Sequence, residues 1–184
     1  MNYIFITGLI GSLLLVTGSA WPQNEDATRP AKSIKNWLFF IGGLFMLLYA
    51  VLGYLLGGLV FFVILEILGA VAGILMMLGT PEKLNIPVIS VSGVALIIWS
   101  LFLFNGYATL VFILGLCIVS LGFTFRMGTL RRNVALAVGS ILIALFSYLG
   151  ASWIFFWLNV FFTIFSGWYV YKGLVPKQEN TLEV

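Results

Sequence analysis

Glu66 lies in the run Val60-Phe61-Phe62-Val63-Ile64-Leu65-Glu66-Ile67-Leu68, with apolar neighbours on both sides. An ionised side chain at the centre of a hydrocarbon layer costs about 3 kcal/mol or more, so an acid there needs a reason. Two roles fit: a carboxyl that binds a solute or carries a proton, or a neutral acid making one structural hydrogen bond between helices. At helical spacing Gly69, Ala70 and Gly73 share its face. Small residues mark packed helix interfaces, so the carboxyl is expected to point into protein. Asn159, Thr163 and Ser166 form a second polar stripe at the same spacing. Tyr49 and Trp157 add aromatic surface near these groups, which suits sugar rings or heterocycles. Trp21, Trp37, Trp153 and Trp168 read instead as anchors at the membrane interface.

Much chemistry is excluded by residue type. The chain has no histidine and a single cysteine, Cys117, which rules out an internal disulfide and His-based catalysis or zinc binding. It also holds no nucleophile–base pair, phosphate loop or metal-ligand cluster, so neither an enzyme nor a cofactor is expected.

These residues must be positioned by membrane helices. Of 184 residues 62% are hydrophobic and only 8% charged, against roughly 25% charged in a soluble domain. The apolar runs predict seven spans: Tyr3–Trp21, Trp37–Leu56, Gly58–Met77, Ile86–Phe104, Tyr107–Phe125, Val134–Leu149 and Ser152–Tyr171. As one helix, Trp37 to Gly79 would be about 65 Å long, twice the hydrocarbon thickness, so a turn is required near Gly57-Gly58. The same reasoning places turns near Asn105-Gly106 and Gly150. The end of the first run, Thr17-Gly18-Ser19-Ala20, resembles a secretory cleavage site, but no Lys or Arg precedes the run. It is read as a retained helix.

With seven spans every basic residue falls on one side: Arg29, Lys32 and Lys35, then Lys83, then Arg126, Arg131 and Arg132, then Lys172 and Lys177. The positive-inside rule makes that side cytoplasmic, with the N-terminus outside and the C-terminus inside. The basic residues therefore signal orientation, and no nucleic-acid partner is expected; Arg131-Arg132 and Lys32/Lys35 could also meet anionic lipid.

An internal repeat is visible. Gly11 and Gly18 match Gly115 and Gly122; Ile41-Gly42-Gly43 through Leu48-Tyr49-Ala50 match Val138-Gly139-Ser140 through Leu145-Phe146-Ser147. Gly58, Phe62, Glu66 and Gly73 match Ala151, Phe155, Asn159 and Ser166. Three helices per copy is an odd number, so the fourth acts as a spacer that lets both copies start on the same side. The expected fold is an all-α membrane protein of seven transmembrane helices, arranged as two parallel three-helix bundles joined by a linker helix (3-1-3). Its parts are a first bundle over 1–79, the linker helix over 80–106, a second bundle over 107–173 and a cytoplasmic tail over 174–184.

This pattern, with Trp21-Pro22-Gln23 resembling a PQ-loop and the polar pair Glu66 and Asn159, is similar to the SWEET-like superfamily of SWEET, SemiSWEET and Pnu-type transporters. In character the chain resembles bacterial inner-membrane members. The resemblance implies an Asn facing substrate in the third and seventh helices; Asn159 fits and Glu66 departs from it. It also implies aromatic residues bracketing the substrate, at Tyr49 and Phe146. Prolines expected in the second, fifth and sixth helices are missing here. The implied function is a facilitator or proton-linked carrier of a small polar or heterocyclic solute such as a vitamin, nucleoside or sugar. The candidate site is Glu66, Asn159, Tyr49, Phe146, Trp157 and Thr163; the expected partners are the solute and membrane lipid, with a homo-oligomer left open. The alternative is a structural or receptor-like membrane protein that transports nothing. It predicts a dry interior packed by Gly and Phe.

Overall fold

The computed structural model describes residues 2–21, 30–126 and 128–174. These form seven α-helices: α1 (Asn2–Ala20), α2 (Ile34–Leu55), α3 (Val60–Leu78), α4 (Glu82–Phe102), α5 (Tyr107–Thr124), α6 (Leu130–Leu149) and α7 (Trp153–Leu174). All seven are long and apolar enough to cross a membrane, so this is an all-helical integral membrane protein.

The turns demanded by length fall where expected. Gly57 (φ 90°) separates α2 from α3 and Gly106 (φ 93°) separates α4 from α5. Between α6 and α7 the turn passes through Ala151 (φ 50°), the one non-glycine residue with positive φ among those described. Three helices start at least three residues earlier than their apolar runs: α2 at Ile34, α4 at Glu82 and α6 at Leu130. Hydropathy finds the stretch that meets lipid, whereas a helix begins at its cap. Ser33 and Thr129 each accept a hydrogen bond from the backbone N–H three residues on, both at 3.4 Å, so a polar first turn precedes the apolar one.

Consecutive helices pack against one another; α7 returns to α1, and α3 also touches α5, with α4 against both. The α1/α2 and α5/α6 interfaces are built alike. A Cβ on Gly42 would lie 3.0 Å from Leu15 N and 3.1 Å from Gly11 O; on the matched Gly139 it would lie 3.0 Å from Val119 N and 3.2 Å from Gly115 O. Gly11 abuts Met46 and Gly115 abuts Ile143, and Met46 and Ile143 are both wholly buried. Glycine is required at such crossings because the two backbones touch.

The ends that carry Lys and Arg are tied together. Tyr169 donates to Ser19 O at 3.5 Å, Lys35 donates to Trp21 O at 3.0 Å, and Arg126 lies 3.6 Å from the Glu82 carboxylate. Gly79, left-handed at φ 62°, closes α3 against Pro30, where a Cβ would come within 2.8 Å of the proline ring. Lys32, Lys35, Lys83, Arg126, Arg131, Arg132 and Lys172 all sit in these terminal turns and loops.

Candidate functional site

Five helices contribute aromatic rings to one layer. Phe62 of α3 stacks on Phe155 of α7 with centroids 4.1 Å apart and planes inclined by 10°. These two residues are repeat mates. The flanking pairs obey the same relation: Tyr49 of α2 lies 5.5 Å from Phe155, and its mate Phe146 of α6 lies 5.5 Å from Phe62. Phe61 and Phe112 extend the layer, each within contact of Phe146. Phe62, Phe112, Phe146 and Phe155 are all buried. Offset and tilted ring pairs of this kind contribute about 0.5–1.5 kcal/mol each beyond the area they bury.

Glu66 and Asn159 follow one helical turn after Phe62 and Phe155, about 6 Å along each axis. Both are buried, at 7% and 6% exposure. Asn159 Nδ2 donates to Phe155 O at 2.8 Å, and Thr163 Oγ1 donates to Asn159 O at 2.9 Å. The first bond fixes the side-chain amide and leaves Asn159 Oδ1 without a partner among the described residues, while the second holds the Thr163 hydroxyl against its own helix backbone. The Glu66 carboxyl has neither a hydrogen bond nor an ion pair among the described residues, whose one salt bridge is the exposed Arg126–Glu82 pair. The fully enclosed side-chain oxygen left unpaired is Ser120 Oγ; the Glu66 oxygens, equally unpartnered, are not fully enclosed. Gly69 keeps the space before the carboxyl clear, since a Cβ there would meet only Glu66 Oε2 at 3.8 Å.

Packing differs on the two sides of this pair. Toward the aromatic layer α3 buries Phe61, Phe62 and Ile64, and α7 buries Phe155 and Leu158. Toward the basic end, no residue of α3 beyond Leu68 and none of α7 beyond Asn159 is buried. Gly69, Ala70, Gly73, Thr163 and Ser166 line that half and are only partly covered. That half is not purely small and polar, since Phe39 and Phe162 stack there with centroids 6.4 Å apart and Phe40 lies beside Gly73.

Of the residues singled out from sequence, Tyr49 and Phe146 share the aromatic layer, Glu66 and Asn159 lie one turn beyond it, and Thr163 buttresses Asn159. Trp157 does not join them and is corrected here. Two residues before Asn159 is about 200° around a helix, and the Trp157 side chain is 55% exposed on the outside of α7, against Phe156. Trp21, Trp37, Trp153 and Trp168 are exposed as well. The Pro22-Gln23 pair of the PQ-loop resemblance lies outside the described residues. Sequence reasoning did not select Phe62 and Phe155 for the site, although each stands four residues before a member of the polar pair. An apolar groove of about 690 Å³ on the outer face of α7, lined by Ile164, Phe165, Gly167, Trp168 and Tyr171, is separate from this region.

Comparison of the chain with protein-family models, with curated proteins and with solved structures finds no match. The site must be read from its own chemistry. It offers a carboxyl and an amide oxygen beside flat aromatic surface, and no nucleophile with a base beside it. Among the described residues no group of three metal-ligating side chains occurs.

Proposed function

We propose that this protein is a membrane carrier, a facilitator or proton-linked transporter, of a small polar or heterocyclic solute. In this reading α1–α3 and α5–α7 are two parallel three-helix bundles joined by α4, related by a pseudo-two-fold axis along the membrane normal, as in the SWEET-like superfamily. The solute binds between the bundles, hydrogen-bonded by Glu66 and Asn159 and flanked by Tyr49 and Phe146. Rocking of the bundles exposes it to either side. The N-terminus lies outside and the basic end faces the cytoplasm of a bacterial inner membrane.

The observation that carries this reading is the unpartnered Glu66 carboxyl, buried, like the matched Asn159, one helical turn beyond the stacked Phe62–Phe155 pair. A buried acid with no partner is costly unless a ligand supplies one. The matched glycine crossings and the equal Tyr49–Phe155 and Phe62–Phe146 separations support the two-bundle arrangement. The one-sided looseness below the pair fits a carrier closed by its aromatic layer and approached from the basic end.

The density of that aromatic layer favours a second reading, a structural or receptor-like bundle with a dry interior. Purified protein can be screened for thermal stabilisation by sugars, nucleosides, vitamins and amino acids, because a ligand that binds the folded state alone raises its stability. Counterflow of the stabilising solute in proteoliposomes then tests transport. Carriage is expected to fall at least tenfold in Glu66→Ala and Asn159→Ala, and unchanged carriage in both would remove this site.

A further inference from the structure

The polar pair carries more information than its position. Among the described residues the basic side chains sit in the terminal turns and loops, away from Glu66. Lys35 lies over the Tyr169 ring and donates to Trp21 O, while Arg132 lies over the Phe123 ring and donates to Phe125 O. Lys172 sits over Trp168 at the end of α7, and Arg126 pairs with Glu82. None reaches the layer that holds Glu66. Among the described residues the polar pair itself leaves oxygens without partners, the carboxyl of Glu66 and Asn159 Oδ1. One helical turn away stand the buried rings of Phe62 and Phe155.

From this arrangement we infer that the solute is an organic cation, of the ammonium, amidinium or guanidinium type, whose charged head pairs with Glu66 and donates to Asn159 Oδ1. The inference rests on the reading of this layer as a solute site and narrows it to one class. A carboxylate that must be neutralised in a membrane interior accepts a cation bearing N–H donors in two parallel bonds, the strongest pairing available to it. The stacked Phe62 and Phe155 rings supply a flat apolar wall one turn from the pair, against which the organic part of such a cation can pack. An anion meets the reverse. Against the ionised carboxyl it would meet a repulsion that no Lys or Arg among the described residues offsets, and a neutral solute would leave the acid to be neutralised by a proton instead.

Benzamidinium, benzamide and benzoate test this, being flat and nearly isosteric with charges of plus one, zero and minus one. Thermal unfolding of the full chain in detergent is followed against the concentration of each. Benzamidinium is expected to raise the midpoint in a saturable way, benzamide to bind at least tenfold more weakly, and benzoate to have no effect. In Glu66→Gln, which keeps the shape and removes the charge, the apparent affinity for benzamidinium should fall at least about tenfold; Glu66→Asp should retain the order of the three probes. Equal stabilisation by benzamide or benzoate, no response to benzamidinium, or a benzamidinium response that survives Glu66→Gln would each overturn the cation class. The charge series on the unaltered protein decides the matter even if a variant fails to fold. Counterflow of labelled benzamidinium in proteoliposomes is scored separately. Binding ordered by charge without counterflow removes transport and upholds the cation site; carriage of a sugar or nucleoside with no charge preference removes the cation class and upholds transport.

Discussion

Gly42 and Gly139 occupy matched places on α2 and α6, and neither tolerates a methyl group. At Gly139 a Cβ would fall 2.6 Å from Val119 Cγ2 and against the backbone of α5; at Gly42 it would fall 2.9 Å from Leu15 Cγ and against the backbone of α1. Backbone cannot rotate away as a long side chain can. Overpacking of this kind costs about 1–3 kcal/mol, more than the roughly 1 kcal/mol that alanine gains over glycine in a helix. Gly139→Ala and Gly42→Ala should therefore both lower the thermal midpoint in a fixed detergent. Gly43→Ala, next in the chain, meets nothing within 4 Å and should raise stability by up to about 1 kcal/mol. A Gly139→Ala protein as stable as the unaltered chain would contradict the close crossing. The sequence makes these glycines conspicuous as a repeated pair, but not which of two adjacent glycines faces the neighbouring helix. The same ambiguity misassigns Trp157. Composition marks it as an aromatic beside Asn159, and only the direction in which α7 turns shows that it leaves the bundle.

Helix positions were far more legible, because a span of about 20 apolar residues is dictated by membrane thickness alone. The turns at Gly57 and Gly106 follow from length and from glycine's access to positive φ. Helix starts were less legible, since Ser33 and Thr129 cap polar first turns that a hydropathy window excludes. The α6–α7 turn places an alanine in left-handed backbone, where an L-residue pays about 1–2 kcal/mol. Ala151→Gly should relieve that strain and, after the greater chain entropy of glycine is subtracted, stabilise the protein by up to about 1 kcal/mol. A lower midpoint in this variant would argue against the left-handed geometry. The repeat offers its own comparison, because the first copy carries Gly57-Gly58 at the corresponding turn.

At the scale of the whole molecule, the alternation of basic and uncharged loops makes a prediction about sidedness. In a Cys117→Ser background, a cysteine at Tyr107, 89% exposed at the start of α5, should react with a membrane-impermeant maleimide in intact cells. One at Arg131 should react only after permeabilisation, and the opposite pattern would invert the topology. Seven spans could be counted from hydropathy and their partition from charge, but the packing order could not. That α7 returns to α1 while α3 meets α5 depends on side chains such as Phe62 and Phe155, which in a chain this rich in phenylalanine are indistinguishable by type from lipid-facing ones. Glu66 and Asn159 were legible because polar groups are scarce in such a background; the aromatic pair beside them was hidden by abundance.

The repeat mates agree at Phe62 and Phe155 and nearly so at Tyr49 and Phe146, then part at Glu66 and Asn159. Two identical halves would give a guest two equivalent ways to lie, related by half a turn. In the proposed carrier one acid and one amide would abolish that degeneracy, and a cationic guest would direct its charged head toward α3. A chiral guest of that carrier would then present its substituents to fixed, unlike walls, so mirror-image solutes should be held with unequal strength.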